Sequence, residues 1–138
     1  MSLFNKFDDK KKKSHVRNLI KMAAADGSVD EVEVKFLNRV ARRYGVTPEE
    51  VQHIIDHQDD YTFTPPSDKE DRHAQLLNLT IMMMIDDVID DHEMAMLKKF
   101  AIGLGYPIGK VDKLIQTAIN CVKEGMEDED AIEELDEV

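Results

Sequence analysis

Cysteine is almost missing from this chain: Cys121 stands alone among 138 residues. No intramolecular disulfide can brace the fold, and a reducing compartment, the cytoplasm, is the expected setting. Long apolar runs are missing too. The oiliest stretch, residues 76–85, is interrupted by Asn78 and Thr80 and falls far short of the roughly twenty residues a bilayer-crossing helix needs, so it reads as a buried helix. The opening Met1, Ser2, Leu3 and Phe4 lacks the apolar core of a secretory signal. Nowhere do apolar and polar residues alternate long enough to make a strand. Base is scarce as well: 18 Lys and Arg stand against 29 Asp and Glu, a net charge of −11. That balance argues against nucleic acid as a partner, whose affinity comes mostly from neutralising phosphates. It disfavours an anionic membrane in the same way. Only the lysines at 10–13 form a basic cluster, read as a solvated helix start, with peripheral contact to lipid or an acidic partner as the alternative.

Catalytic patterns are equally thin. Gly103, Leu104 and Gly105 follow a helical pattern and read as its stop, and Lys110 is not set in a phosphate-binding loop. No Ser, His and Asp set fills the roles of a nucleophilic site. His53 and His57 lie one helical turn apart, a spacing that can hold zinc. Without a His-Glu-x-x-His arrangement or a nearby cysteine they read as an exposed helix face. His92 reads as a surface histidine. The expectation is a protein that is not an enzyme.

What the chain does have is a repeat. The stretch Asp26, Gly27, Ser28, Val29, Asp30, Glu31, Val32, Glu33 returns sixty residues on as Asp86, Asp87, Val88, Ile89, Asp90, Asp91, His92, Glu93. At the same shift Met22 falls on Met82, Leu37 on Leu97, Gly45 on Gly105 and Val51 on Val111. An acidic loop and its flanking helices recur together, as in a tandem duplication whose halves share a core. The prediction is one all-α domain of about seven helices over 1–138, with halves at about 14–57 and 67–123 related by a pseudo-twofold.

In chain order, a lead-in with Leu3, Phe4 and Phe7 precedes a helix starting near Ser14, with Val16, Leu19, Ile20, Ala23 and Ala24 on its apolar face. Asp30 with Glu33 is a capping box opening the second helix, whose inner stripe is Val32, Phe36, Leu37, Val40, Ala41 and Tyr44. Thr47, Pro48 and Glu50 open the third, with Val51, Ile54 and Ile55 inward. Residues 58–66 are a hinge. Ser67 with Glu70 caps a central helix that is apolar on all sides at 76–85. The methionines gathered there and after (Met82, Met83, Met84, Met94, Met96) read as an adaptable core. Helices with Met94, Leu97, Phe100 and Ala101, then with Val111, Leu114, Ile115, Ala118, Ile119 and Val122, complete the second half. The tail at 126–138 holds eight carboxylate side chains and no base. It is expected to fray, and to be dispensable for folding, with a short last helix through Ala131, Ile132 and Leu135 as the alternative.

Each loop joins two helices and sets carboxylates at the first, fifth and eighth positions. Oxygen is the ligand type common to both, which favours calcium, magnesium or manganese over zinc or copper. The spacing is not that of an EF-hand. Crowded carboxylates raise one another's pKa or recruit a cation. Capping accounts for Asp30 with Glu33 and Asp90 with Glu93, but it predicts nothing about Asp26 and Asp86. The candidate metal ligands are therefore Asp26, Asp30, Glu33, Asp86, Asp90 and Glu93. Val29 and Ile89 are expected to plug the core between the loops.

Ala25 to Asp30 with Glu33, the helix entry Pro65, Pro66, Ser67, Asp68, Lys69, Glu70, Asp71, Arg72, and the recurrence of the acidic loop resemble the TerB-like family. That family is named for a bacterial tellurite-resistance protein and is similar to a domain of the DjlA co-chaperones. The likeness spans roughly residues 14–122. It implies an all-helical fold with internal pseudo-symmetry, and a metal-binding role for Asp26 with Glu33 and Asp86 with Glu93. At Asp30 and Asp90 the family accepts Ser, Thr or Asp, as suits a cap. Asp87 departs from the family by standing where glycine is common, as at Gly27. The resemblance implies a divalent-cation-binding module in a stress-response system. An interaction scaffold for other proteins and a metal-dependent hydrolase are the alternatives.

Overall fold

Helix ends in this chain are set by short polar side chains and by left-handed residues, and the computed structural model places helices between them. It describes residues 3–25, 27 and 29–138, with side chains described from residue 9 onward except at 26 and 28. Among the described residues the structure is all-α, with seven α-helices, one short 3-10 turn and no strand. The chain divides into two compact units, Met1–Pro65 and Pro66–Val138.

The first unit holds α1 (Leu3–Ala23), α2 (Glu31–Arg43), α3 (Pro48–Asp56) and the 3-10 turn Gln58–Asp60. α1 packs against α2 and α3. Val16, Leu19, Ile20, Met22 and Ala23 meet Phe36, Leu37, Val40, Ala41, Val51 and Ile54 in the buried set. The predicted start near Ser14 is corrected by eleven residues to Leu3. Residues 8–13 are Asp and Lys, and lysine tolerates helix well. Lys13 also pairs with Asp9 one turn back, at 3.0 Å, and with Glu50 of α3, at 3.0 Å. The lysines at 10–13 thus lie inside α1, and Lys13 is held between two carboxylates. Ser14 does not cap α1: its buried Oγ accepts the Thr64 N–H at 2.8 Å, while Arg17 Nη1 donates to the Tyr61 carbonyl at 2.6 Å. These bonds fasten the irregular segment 61–64 to α1. The side chains of Leu3, Phe4 and Phe7 lie outside the described set.

Three positions assigned inward are outward. Val32 is 55% exposed and Ile55 39%, and Ala24 is exposed past the end of α1. Val32 and Ile55 sit at the margins of their helices' apolar arcs, where periodicity leaves the orientation open by a fraction of a turn, and Ala24 lies beyond the last turn of α1.

The second unit holds α4 (Lys69–Met84), α5 (Asp91–Leu104), α6 (Ile108–Lys123) and α7 (Asp128–Asp136). α4 is its hub, packing on α5, α6 and α7. Residues 75–80 of α4 are buried without a break, as an all-round apolar helix requires. Met82 and Met83 are core, whereas Met84, Met94 and Met96 are half-buried. The cap of α4 falls one residue later than Ser67: the Asp68 carboxylate accepts the Asp71 N–H at 2.7 Å.

The tail corrects the expectation of fraying. Residues 128–136 form α7, seated on α4 and α6 with Ala131 and Leu135 buried. Asp128, Glu129 and Asp130 lie in its first turn, where the helix dipole favours negative charge. Its last turn is tied down by Asp136, whose carboxylate meets Lys69 Nζ at 2.6 Å and lies 3.5 Å from His73 Nε2. The short-helix alternative through Ala131 and Leu135 is the one the structure adopts, because burial of those two side chains outweighs repulsion among carboxylates that stay in solvent.

Candidate functional site

The first acidic loop begins where α1 runs out at Ala23. Gly27 is left-handed (φ 92°), and its N–H donates to the Ala24 carbonyl at 2.9 Å. The chain then extends to Asp30 (φ −89°, ψ 173°), which caps α2. Asp30 Oδ1 accepts the Glu33 N–H at 2.9 Å, and Glu33 Oε1 accepts the Asp30 N–H at 3.2 Å. The predicted capping box is therefore present. Asp30 and Glu31 are exposed, whereas Glu33 is only 5% exposed. Asp26 lies outside the described residues.

The second loop repeats the turn and the aspartate cap. The Asp87 N–H donates to the Met84 carbonyl at 3.0 Å, and Asp87 is left-handed (φ 63°) at the position of Gly27. Asp87 turns the chain in the sense glycine would, at a steric cost glycine does not carry. Asp90 (φ −100°, ψ 167°) caps α5, its Oδ1 accepting the Glu93 N–H at 2.7 Å. Asp86 Oδ1 accepts the Val88 N–H at 3.2 Å. Glu93 is buried (6% exposed), while Asp86, Asp87, Asp90, Asp91 and His92 are exposed.

The structure thus brings Asp30 to Glu33 and Asp90 to Glu93 as helix-start pairs. Among the described residues, no three His, Cys, Asp or Glu side chains gather into a cation-holding group. The donors present are hard oxygens of the kind calcium, magnesium and manganese take. Asp30 and Asp90 each use one carboxylate oxygen as a cap, so a cation at either loop would need exposed carboxylates to turn towards it. Val29 and Ile89 do not plug a core: they are 44% and 38% exposed. Both loops stand clear of the packed helices, and Val88 beside Ile89 is 63% exposed as well.

Other groups took positions that spacing alone did not reveal. His15 is fully buried beside Tyr44, ring centres 5.1 Å apart, and burial pushes its pKa down to about 3. His73 is buried in the second unit, its Nδ1 2.6 Å from Tyr106 Oη. Burial lowers its pKa, opposed by the Asp136 carboxylate. Burial also pushes the Tyr106 phenol well above its ordinary range. A groove of about 380 Å³ runs beside α2 and α3, lined by Ala41, Arg42, Val46, Thr47 and Val51 among others, with none of the candidate carboxylates on its wall.

Fold and loops together define an all-helical protein in which short acidic turns, each ending in an aspartate cap and a buried glutamate, join successive helices. Residues 1–56 match the family model described as tellurite resistance protein TerB. That match supports the TerB-like assignment, and it covers Asp26, Asp30 and Glu33 while ending before the second loop. Among curated proteins and solved structures nothing matches the chain.

Proposed function

We propose that this chain is a non-catalytic, divalent-cation-binding module of a tellurite-resistance-like stress response, taking calcium, magnesium or manganese at its acidic loops. The observation that carries this reading is the second loop's retention of acidity at a cost. Asp87 adopts a left-handed backbone where the first loop uses Gly27, within a turn that also holds Asp86, Asp90, Asp91 and buried Glu93. A turn selected only for geometry has a cheaper solution in glycine. The ligands would be Asp26, Asp30 and Glu33 in one loop and Asp86, Asp90 and Glu93 in the other. Hard oxygen donors, on exposed Asp30, Asp86 and Asp90 and on buried Glu33 and Glu93, support that choice of ion.

A second reading, a scaffold for other proteins that needs no metal, is favoured by the capping bonds. Asp30, Glu33 and Asp90 already serve helix starts, and Val29, Val32 and Val34 are exposed nearby.

Thermal unfolding separates the two. A cation that binds only the folded chain stabilises it by about 2.7 kcal/mol at a hundredfold excess over Kd, a rise of roughly 5–10 °C in Tm for a domain of this size. Millimolar calcium, magnesium or manganese is expected to raise Tm beyond a monovalent salt of matched ionic strength. Asp26→Asn combined with Asp86→Asn should abolish that excess while keeping or raising metal-free stability, because like-charge repulsion is relieved. A wild type without the excess, or a double variant that keeps it, would leave the scaffold reading standing.

A further inference from the structure

The histidine pair on α3 has an organisation its spacing did not disclose. His53 and His57 are exposed and stacked, with ring centres 4.2 Å apart and planes inclined by 18°. Both Nδ1 atoms are engaged. His57 Nδ1 lies 3.0 Å from the His53 carbonyl oxygen, and a carbonyl only accepts, so His57 carries its proton on Nδ1. In the neutral ring that leaves the Nε2 lone pair bare. His53 Nδ1 lies 2.7 Å from Tyr61 Oη, which can accept the same way. Tyr61 comes from the segment after the 3-10 turn, and its backbone carbonyl is bound by Arg17 of α1. The phenol that orients His53 is therefore anchored to the body of the first unit.

We propose that His53 and His57 form a two-nitrogen chelate, through Nε2 of each ring, for a borderline divalent transition ion such as zinc or nickel, with Tyr61 as the positioning residue. Imidazole suits these ions better than it suits the hard cations of the acidic loops. Metal–nitrogen bonds of about 2.0–2.1 Å ask for two Nε2 atoms about 3.3 Å apart in tetrahedral geometry; the rings, stacked with centres 4.2 Å apart, hold their lone pairs side by side, so an ion binds by unstacking the pair and turning both Nε2 atoms towards one point. A metal-binding histidine is commonly oriented by a hydrogen bond from its other nitrogen; His57 has that bond to the His53 carbonyl, and His53 has it to Tyr61 in the tautomer that donates from Nδ1. Among the described residues no third protein ligand joins the pair, so water completes the coordination and the site stays open to an incoming donor. The chelate is independent of the acidic loops in residues, ligand atoms and preferred ion.

The full chain titrated with zinc sulfate near neutral pH, by calorimetry and by NMR of the histidine side chains, tests this. The expected result is a binding event that shifts the His53 and His57 rings together, is lost in His53→Ala and in His57→Ala, and is weakened about tenfold in Tyr61→Phe. Asp26→Asn with Asp86→Asn should leave it unchanged. That arm separates failure of this site from failure of the acidic loops. All three α3-side positions are exposed or half-exposed, and far-ultraviolet circular dichroism confirms that each variant remains helical. The proposal is overturned if zinc does not bind, if only one of the two rings responds, or if either alanine variant binds zinc as the wild type does.

Discussion

Asp87 is where backbone geometry and side-chain identity disagree most openly. Its φ of 63° belongs to the region where a Cβ crowds the neighbouring carbonyl, although aspartate bears this better than most residues. Asp87→Gly should therefore gain up to about 1 kcal/mol of stability in metal-free denaturant unfolding. Gly27→Ala, at φ 92°, should lose about 1–2 kcal/mol. An Asp87→Gly variant no more stable than wild type would mean the carboxylate contributes more to the folded chain than the strain costs. His15 gives the residue-scale pH dependence. Its folded pKa of about 3 lies below the ordinary 6.5, so below 6.5 the unfolded chain takes up a proton the folded chain refuses. The contribution is complete above pH 6.5 and is lost as pH falls towards 3, reaching about 2 kcal/mol by pH 5. His73, also shifted down by burial, acts in the same direction. Urea unfolding at pH 7 and pH 5, compared between wild type and His15→Phe, isolates the His15 share; equal pH slopes would show that His15 is solvated in the folded chain.

At the scale of elements, α7 behaves as core despite its composition. Leu135 is 1% exposed and Ala131 3%, so Leu135→Ala should cost about 2–5 kcal/mol. Truncation after Gly125 should lower Tm and uncover the apolar groove formed by Leu77, Ile81 and Cys121; an unchanged Tm would return the tail to the frayed state its charge suggests. The caps offer a second comparison. Asp30 and Thr47 close capping boxes of the same form at α2 and α3, and each alanine replacement should cost about 0.5–2 kcal/mol without any metal present. If Thr47→Ala shows that loss in a melting curve and metal-free Asp30→Ala does not, Asp30 serves a ligand rather than the helix.

For the molecule as a whole, a net charge of −11 means that folding concentrates like charge. Monovalent salt screens it over about 10 Å at 0.1 M, so moderate sodium chloride should itself raise Tm. That rise is the baseline any divalent effect must exceed; a flat response would show that acid–base pairs such as Lys13 with Asp9 and Glu50 already balance the field locally. No described helix is long and apolar enough to cross a membrane, in keeping with the broken apolar run at 76–85.

The all-helical class, the starts of α2, α3 and α5 and the two acidic turns were legible in the sequence because they are local. An Asp or Thr side chain reaches an N–H three residues on, glycine relieves a left-handed turn, and an apolar face repeats every three or four residues. Thr47, Asp30 and Asp90 cap where their spacing said they would. Packing depends on groups far apart in the chain, and there only the tertiary structure decided. It placed Leu135 in the core beneath a run of carboxylates and left Val29 and Ile89 in solvent. It carried α1 back to Leu3 and paired Lys13 with Glu50 of another helix. It also buried His15, Glu33 and Glu93, whose neighbours no short window of residues contains. Periodicity states which side chains share a face; the partner that covers the face sets which of them leave water.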